Sequence, residues 1–221
     1  PLVGYSEPAF RLLCRRYGAE MASTPMIDAG GYSRSASYRE AFAFTGGAAD
    51  RPLVVQLGGS DPAQLEAAAA LAAPFCDAVE LNMGCPQRCA QKGGYGAFLM
   101  EDAARAQRCV AAIARGVAGA RAACVAKIRC FDDVEATRAL AAALQRAGAM
   151  ALTVHGRTRL QGGGRRTGKW LANWGWIAAV KRGAGVPVIA NGNVRDHDDL
   201  LACRAETGAD GVMSGVGALR R

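Results

Sequence analysis

One stretch of the chain concentrates groups that could do chemistry. Glu80-Leu81-Asn82-Met83-Gly84-Cys85-Pro86-Gln87-Arg88-Cys89-Ala90-Gln91 leads into Lys92-Gly93-Gly94-Tyr95-Gly96-Ala97, so a short apolar segment opens into a long glycine-rich loop. Loops of that length in compact domains are usually functional. Cys85 lies between Gly84 and Pro86, two residues whose backbone preferences constrain it from both sides. A thiol presented in this way can react or can deliver a proton. Arg88 and Lys92 bring positive charge to the loop, which favours a thiolate or contact with phosphate. Cys89 reads as a packing residue, with a second reactive thiol as the alternative.

Other polar residues fall at the ends of apolar segments. Gln56 closes Leu53 to Leu57, and Asn82 closes Ala78 to Asn82. Lys127 and Arg129 close the segment that starts at Ala122. His155 and Arg157 follow Val154, Asn191-Gly192-Asn193 follows Ala190, and Ser214-Gly215 follows Asp210 to Met213. A lysine within an apolar strand is costly to bury without a partner. At a strand end, Lys127 offers a fixed positive charge to a heterocycle that becomes anionic on reduction. The glycines after the last two segments allow backbone N–H groups to approach phosphate oxygens.

The elements that must position these groups alternate. Leu53–Leu57 reads as a buried strand, followed by a helix start in which Asp61 is the N-cap and Pro62 the first helical residue. That helix ends near Pro74. Strand 78–82 is followed by a helix from about Glu101 to Arg115. Strand 122–128 is followed by a helix that begins at Asp132 or Asp133 and stops at Gly148. Strand 150–154 precedes a helix around Trp176 to Arg182. Strand 186–190 precedes a helix capped by Asp196, and a strand follows at 210–214. At the front, Phe10, Leu13, Cys14 and Tyr17 have helical spacing, and Glu20 to Thr24 is a weaker strand.

Alternating strands and helices imply parallel pairing through right-handed crossovers. Seven strands are counted from Glu20 onward, and Pro1-Leu2-Val3 reads as the stub of an eighth. The fold class is therefore α/β, a TIM (β/α)8 barrel incomplete at its first strand and final helix. An open doubly wound sheet is the alternative, but no G-x-G-x-x-G follows the first strand. In a barrel, strand ends of one polarity face the active site, and six consecutive strands supply polar groups there.

Composition narrows the classes further. The 221 residues include 27 Lys and Arg against 19 Asp and Glu, a net charge of +8, and 51% are apolar. Global disorder is excluded, and no apolar run is long enough to predict a membrane span. No leader is visible, and a cytoplasmic location is expected. Eight scattered cysteines without a CxxC pair, and two distant histidines, argue against a disulfide scaffold or a structural metal site. Seven of those cysteines are assigned to packing. The positive charge is compatible with nucleic acid.

Together the motifs resemble the tRNA-dihydrouridine synthases. Leu81-Asn82-Met83-Gly84-Cys85-Pro86 with Lys92 to Leu99 is similar to their signature. Val55-Gln56, Ala126 to Arg129, Val154 to Thr158, Ala190 to Asn193 and Gly211 to Ser214 continue the resemblance through the whole chain. Asp50 to Leu53, Lys92 to Leu99 and Gly211 to Ser214 resemble most the eukaryotic branch acting at tRNA positions 16 and 17. The resemblance implies a single FMN-binding catalytic barrel over 1–221. FMN is reduced by NADPH or NADH and passes hydride to C6 of a uridine in the D-loop of tRNA. Cys85 gives a proton to C5 of the ring. It also implies FMN contacts from Pro1, Leu2, Val3, Gln56, Lys127, His155, Asn191, Gly192, Asn193, Gly215 and Val216, and contacts to the target uracil from Asn82 and Arg157. The basic loop from Arg157 to Arg166 becomes a candidate tRNA contact. A monomer with no metal is expected.

The chain departs from the family pattern in three ways. It begins at Pro1 within the first strand, it stops before the family's helical tRNA-binding domain, and Val216 stands where a charged residue is common. A fragment truncated at both ends is expected. Two rival readings remain compatible: another FMN barrel acting on a free small molecule, and an inactive fragment that binds RNA through its arginines.

Overall fold

The computed structural model describes residues 1–42, 44, 47–161 and 171–219. Seven strands form one all-parallel sheet in sequence order: β1 (Ala22–Asp28), β2 (Leu53–Gly58), β3 (Ala78–Met83), β4 (Ala123–Arg129), β5 (Leu152–His155), β6 (Val188–Asn191) and β7 (Gly211–Met213). Sequential parallel neighbours require a crossover each time. The sheet curls as an incomplete TIM barrel with helices on its outer side.

From β2 to β6 the strands alternate between two faces. Val55, Leu57, Val79, Leu81, Met83, Cys124, Ala126, Ile128, Leu152, Val154, Val188 and Ala190 lie on one face, all at most 1% exposed. This face packs on the helices and holds the apolar core, together with Leu65, Ala68, Val110, Ile113, Leu144 and Ile177. The intervening residues Gln56, Glu80, Asn82, Lys127, Arg129, Thr153, His155 and Asn191 therefore share the concave face. Register aligns them: Gln56 opposes Glu80, Asn82 opposes Lys127, Lys127 opposes Thr153, and Arg129, His155, Asn191 and Met213 form a further rung.

Capping fixes the crossover helices. Asp61 accepts from the Ala63 and Gln64 N–H groups at the start of the helix Pro62–Ala72. Asp102, Asp133, Asn173 and Asp196 cap the helices Ala103–Gly116, Val134–Arg146, Trp174–Gly183 and His197–Thr207. The front helix spans Pro8–Arg16. Its Arg11 guanidinium is buried and bonds both carboxylate oxygens of Asp50, just ahead of β2.

Four expectations are corrected. Pro1–Val3 is not a strand: the Leu2 N–H donates to Ser6 Oγ and the Leu2 carbonyl accepts from Tyr5 and Ser6, so its backbone groups are satisfied in a turn. β1 continues past Thr24 to Asp28. Pro25 has no N–H for the ladder, and the register shifts between Ser23 and Met26. The Gln56 N–H is taken up by Thr24 Oγ1 at 3.2 Å. Two short helices, Ala29–Arg34 and Ala36–Ala41, fill the β1–β2 crossover where none was expected. Six-residue helices are too short to show periodicity, although Asp28 and Ser35 cap them. Finally, the glycine-rich segment after β3 is not a plain loop: it contains a helix at Arg88–Gly93 and a 3-10 helix at Gly96–Glu101.

Candidate active site

The concave face carries its polar groups as one connected network. Glu80 and Gln56 are each 2% exposed and Asn82 is 8% exposed. Gln56 Nε2 donates to Glu80 Oε1 at 2.7 Å, and Thr153 Oγ1 donates to Glu80 Oε2 at 3.3 Å. Asn82 Nδ2 donates to Gln56 Oε1 at 2.9 Å and lies 3.1 Å from Met26 Sδ. Asn82 Oδ1 accepts from the N–H groups of Gly84 and Cys85, at 3.0 and 3.1 Å. Both ends of the Asn82 amide are thus engaged within the protein, the nitrogen by Gln56 of β2 and the oxygen by the backbone that carries Cys85.

Cys85 sits at the end of this network. Arg129, buried at the end of β4, donates Nε to the Gly84 carbonyl at 2.7 Å and a terminal nitrogen to the carbonyls of Thr158 and Gln161. Arg129 thereby ties the Cys85 loop to the loop after β5. Gly96 lies beneath Cys85 with φ +64°, and a Cβ there would come within 2.6 Å of the Cys85 carbonyl oxygen. Only glycine fits such a position. Burial raises the Cys85 thiol above its ordinary value; the backbone N–H of Gln87 and the charge of Arg129 lower it by less. The positive charge expected from Arg88 and Lys92 to favour a thiolate is not what governs this sulfur. Cys89 is exposed on its helix, 3.7 Å from Gln87 Oε1, and does not pack in the core as expected. Cys76, Cys109, Cys124, Cys130 and Cys203 are buried, and no cysteine is in a disulfide.

The opposite side of the mouth is cationic. Lys127 Nζ donates to Asn191 Oδ1 at 2.9 Å, and Asn191 Nδ2 donates to the Met213 carbonyl. Desolvation pulls Lys127 down to about 8, with the charge of Glu80 opposing and that of Arg129 assisting. Desolvation first, and then the charges of Lys127, Arg129 and Arg157, hold His155 well below its ordinary value, so its ring is neutral. Its buried Nδ1 has no hydrogen-bond partner, while Nε2 lies 3.3 Å from an Arg157 nitrogen. Arg157 also donates to Asn193 Oδ1. Gly192 and Asn193 both have positive φ, and a Cβ on Gly192 would meet that of Ala172 at 2.7 Å.

The remaining expected contacts lie at the open edge between β7 and β1. The Leu2 side chain packs against Gly215. Val3 and Val216 are exposed. In the basic loop, Arg159 pairs with Glu101 at 2.6 Å and lies over the Phe98 ring, while 162–166 fall outside the described residues. Glu80 and Thr153 were not anticipated as site residues. The signal for Glu80 was the one used for Lys127, a charge inside an apolar strand. Among the described residues no group of three or more His, Cys, Asp or Glu is placed to hold a metal, and no helix is long and apolar enough to cross a membrane.

Comparison with solved structures supports the architecture. A Burkholderia cenocepacia chain named as a lyase/mutase matches 97% of this chain and 74% of its own, with TM-score 0.62 at 20% identity. A nitroalkane oxidase from Streptomyces ansochromogenes matches 99% of this chain and 64% of its own, with TM-score 0.55 at 17% identity. Sequence relatives are far nearer. A rat protein named tRNA-dihydrouridine(16/17) synthase NAD(P)(+)-like is 43% identical over 220 residues, covering 99% of this chain and 49% of the relative. The tRNA-dihydrouridine(16/17) synthase of Saccharomyces cerevisiae is 44% identical over 223 residues, covering 99% of this chain and 51% of the relative. The chain thus spans about half the length of these curated relatives. The family model described as dihydrouridine synthase matches residues 1–221. With the Cys85 loop anchored on the concave face of a parallel α/β sheet, and with 16/17 synthases among its relatives, the chain belongs to the dihydrouridine synthase family.

Proposed function

We propose that the protein reduces a uridine of the tRNA D-loop to 5,6-dihydrouridine, using FMN as the bound cofactor and NADPH or NADH as the reductant. The residues of the mouth fit an anionic aromatic cofactor. The unpartnered Nδ1 of His155 and the desolvated ammonium of Lys127 are polar groups buried with fewer partners than they can take. Gly192 and Asn193 turn the backbone sharply beside them. Lys127, His155, Gln56 and Asn191 to Asn193 would hold the cofactor, with Pro1 to Val3, Gly215 and Val216 along the edge. When bound, FMN supplies the hydride that reaches C6 of the ring.

The observation that carries this reading is Cys85. Its thiol is raised by burial, so at neutral pH it holds a proton, and its loop is pinned from Asn82 and Arg129. A positioned thiol of that kind can deliver a proton to C5 from a fixed direction. Uridine in folded tRNA must be turned out of its stack to reach such a pocket. Arg157, beside His155, would contact the ring. Asn82 would act on the same ring only by exchanging one of its present hydrogen bonds. We place the enzyme in the cytoplasm, acting as a monomer.

The test is nucleoside mass spectrometry of tRNA from cells whose own synthases are deleted. Expression of the protein should restore dihydrouridine, and Cys85→Ala should lower its formation about 100-fold or more. Unchanged uridine with the wild-type protein would defeat the reading, and reduction of free pyrimidine in its place would support a small-molecule barrel enzyme.

A further inference from the structure

We infer that Glu80 is a positioning residue: its buried carboxylate sets the orientation of the Gln56 and Asn82 amides and, through them, the backbone on either side of Cys85. The catalytic meaning of this inference rests on the function proposed above. The linkage itself rests on hydrogen bonds alone.

The chain of bonds has a fixed polarity at both ends. At one end the Glu80 carboxylate accepts, from Gln56 Nε2 at Oε1 and from Thr153 Oγ1 at Oε2. At the other end the backbone N–H groups of Gly84 and Cys85 can only donate, and both reach Asn82 Oδ1. Between these ends lie two side-chain amides, each of which could be flipped. A flip of Gln56 would face its oxygen to the carboxylate and its nitrogen to Asn82 Nδ2. A flip of Asn82 would face its nitrogen to two N–H groups. Only the observed arrangement satisfies every group, and buried polar groups left unsatisfied are costly.

The output of this chain is the geometry of one residue. The peptide between Gly84 and Cys85 is held at both edges, its N–H by Asn82 Oδ1 and its carbonyl by Arg129 Nε. The carbonyl of Cys85 accepts from the Ala97 N–H at 2.9 Å. With both flanking peptides fixed, the direction of the Cys85 Cα–Cβ bond is fixed too. Arg129 and Ala97 hold it directly. Asn82 holds it in an orientation set from both sides, by the two N–H groups and, through Gln56, by Glu80. Both Glu80 oxygens have donors within the sheet, so Glu80 acts through its neighbours and not on the ring.

The experiment follows the rate at which iodoacetamide alkylates Cys85 in the purified protein, read by peptide mass spectrometry. Glu80→Gln keeps the shape but can present either a donor or an acceptor to Gln56. The freed loop should expose the thiol, and alkylation at pH 7 should rise by about tenfold for each unit by which its pKa falls. Turnover on tRNA should fall at least tenfold, roughly in step with general-acid loss, with less change in KM. Gln56→Leu cuts the same chain one link later and should accelerate alkylation similarly. In an Asn82→Ala background, Glu80→Gln should add nothing further. If Glu80→Gln melts the fold, Gln56→Leu alone and combined with Asn82→Ala decides the question. Unchanged alkylation in the folded variants, or effects that multiply in the Asn82→Ala background, would overturn the inference. Faster alkylation in the variants of a protein that makes no dihydrouridine would instead remove the proposed function and leave the positioning role standing.

Discussion

Burial acts on two ionisable groups of the site, the Cys85 thiol and the Lys127 ammonium. The Cys85 thiol is raised, so it stays protonated through the neutral range, as an acid must. Lys127 is lowered to about 8 from an ordinary 10.5, with desolvation the main cause and Glu80 the main opposing influence. Desolvation disfavours the charged form, so Lys127 loses its proton as pH rises through about 8. An anionic ligand needs the charged form. FMN affinity, followed by flavin fluorescence quenching, should therefore weaken between pH 7 and pH 9, approaching about tenfold per unit at the upper end. Lys127→Met should bind more weakly at pH 7 and lose that pH dependence. An unchanged slope in the variant would remove Lys127 from the cofactor site.

At the level of elements, the first crossover depends on a buried ion pair. Arg11 on the front helix and Asp50 before β2 are 3% and 1% exposed, and Arg15 lies 3.5 Å from the same carboxylate. Removing one partner from such a pair leaves an uncompensated charge. Arg11→Met should cost about 3–5 kcal/mol in urea unfolding, lessened if Arg15 moves in. Asp50→Asn in the same background should recover part of the loss. The loop that carries Cys85 depends in turn on Gly96, whose positive φ and contact with the Cys85 carbonyl admit no side chain.

For the whole molecule, 27 basic against 19 acidic residues leave a net +8, and several arginines are already committed to internal bonds. Arg11, Arg129 and Arg157 serve the fold or the mouth, and Arg159 pairs with Glu101. If tRNA is the partner, affinity should fall more than about tenfold between 50 and 200 mM salt as counterions lose their advantage. A filter-binding titration checks this, and a flat salt response would argue against phosphate contacts. At this scale the sequence by itself determined the alternation of strands and helices, because apolar runs, caps at Asp61, Asp133 and Asp196, and the stop at Gly148 are local signals. It also determined the Cys85 loop and the polar strand ends, because side-chain period and strand polarity put them on one rim. Only the tertiary structure decided what those groups do to one another. Residues far apart in the chain, such as Glu80 and Thr153 or Lys127 and Asn191, meet through sheet register and curvature, which no local pattern encodes. Burial is likewise a property of the packed molecule. It kept the Cys85 thiol protonated where neighbouring charges in the sequence suggested a thiolate, and it left Cys89 exposed where packing was expected.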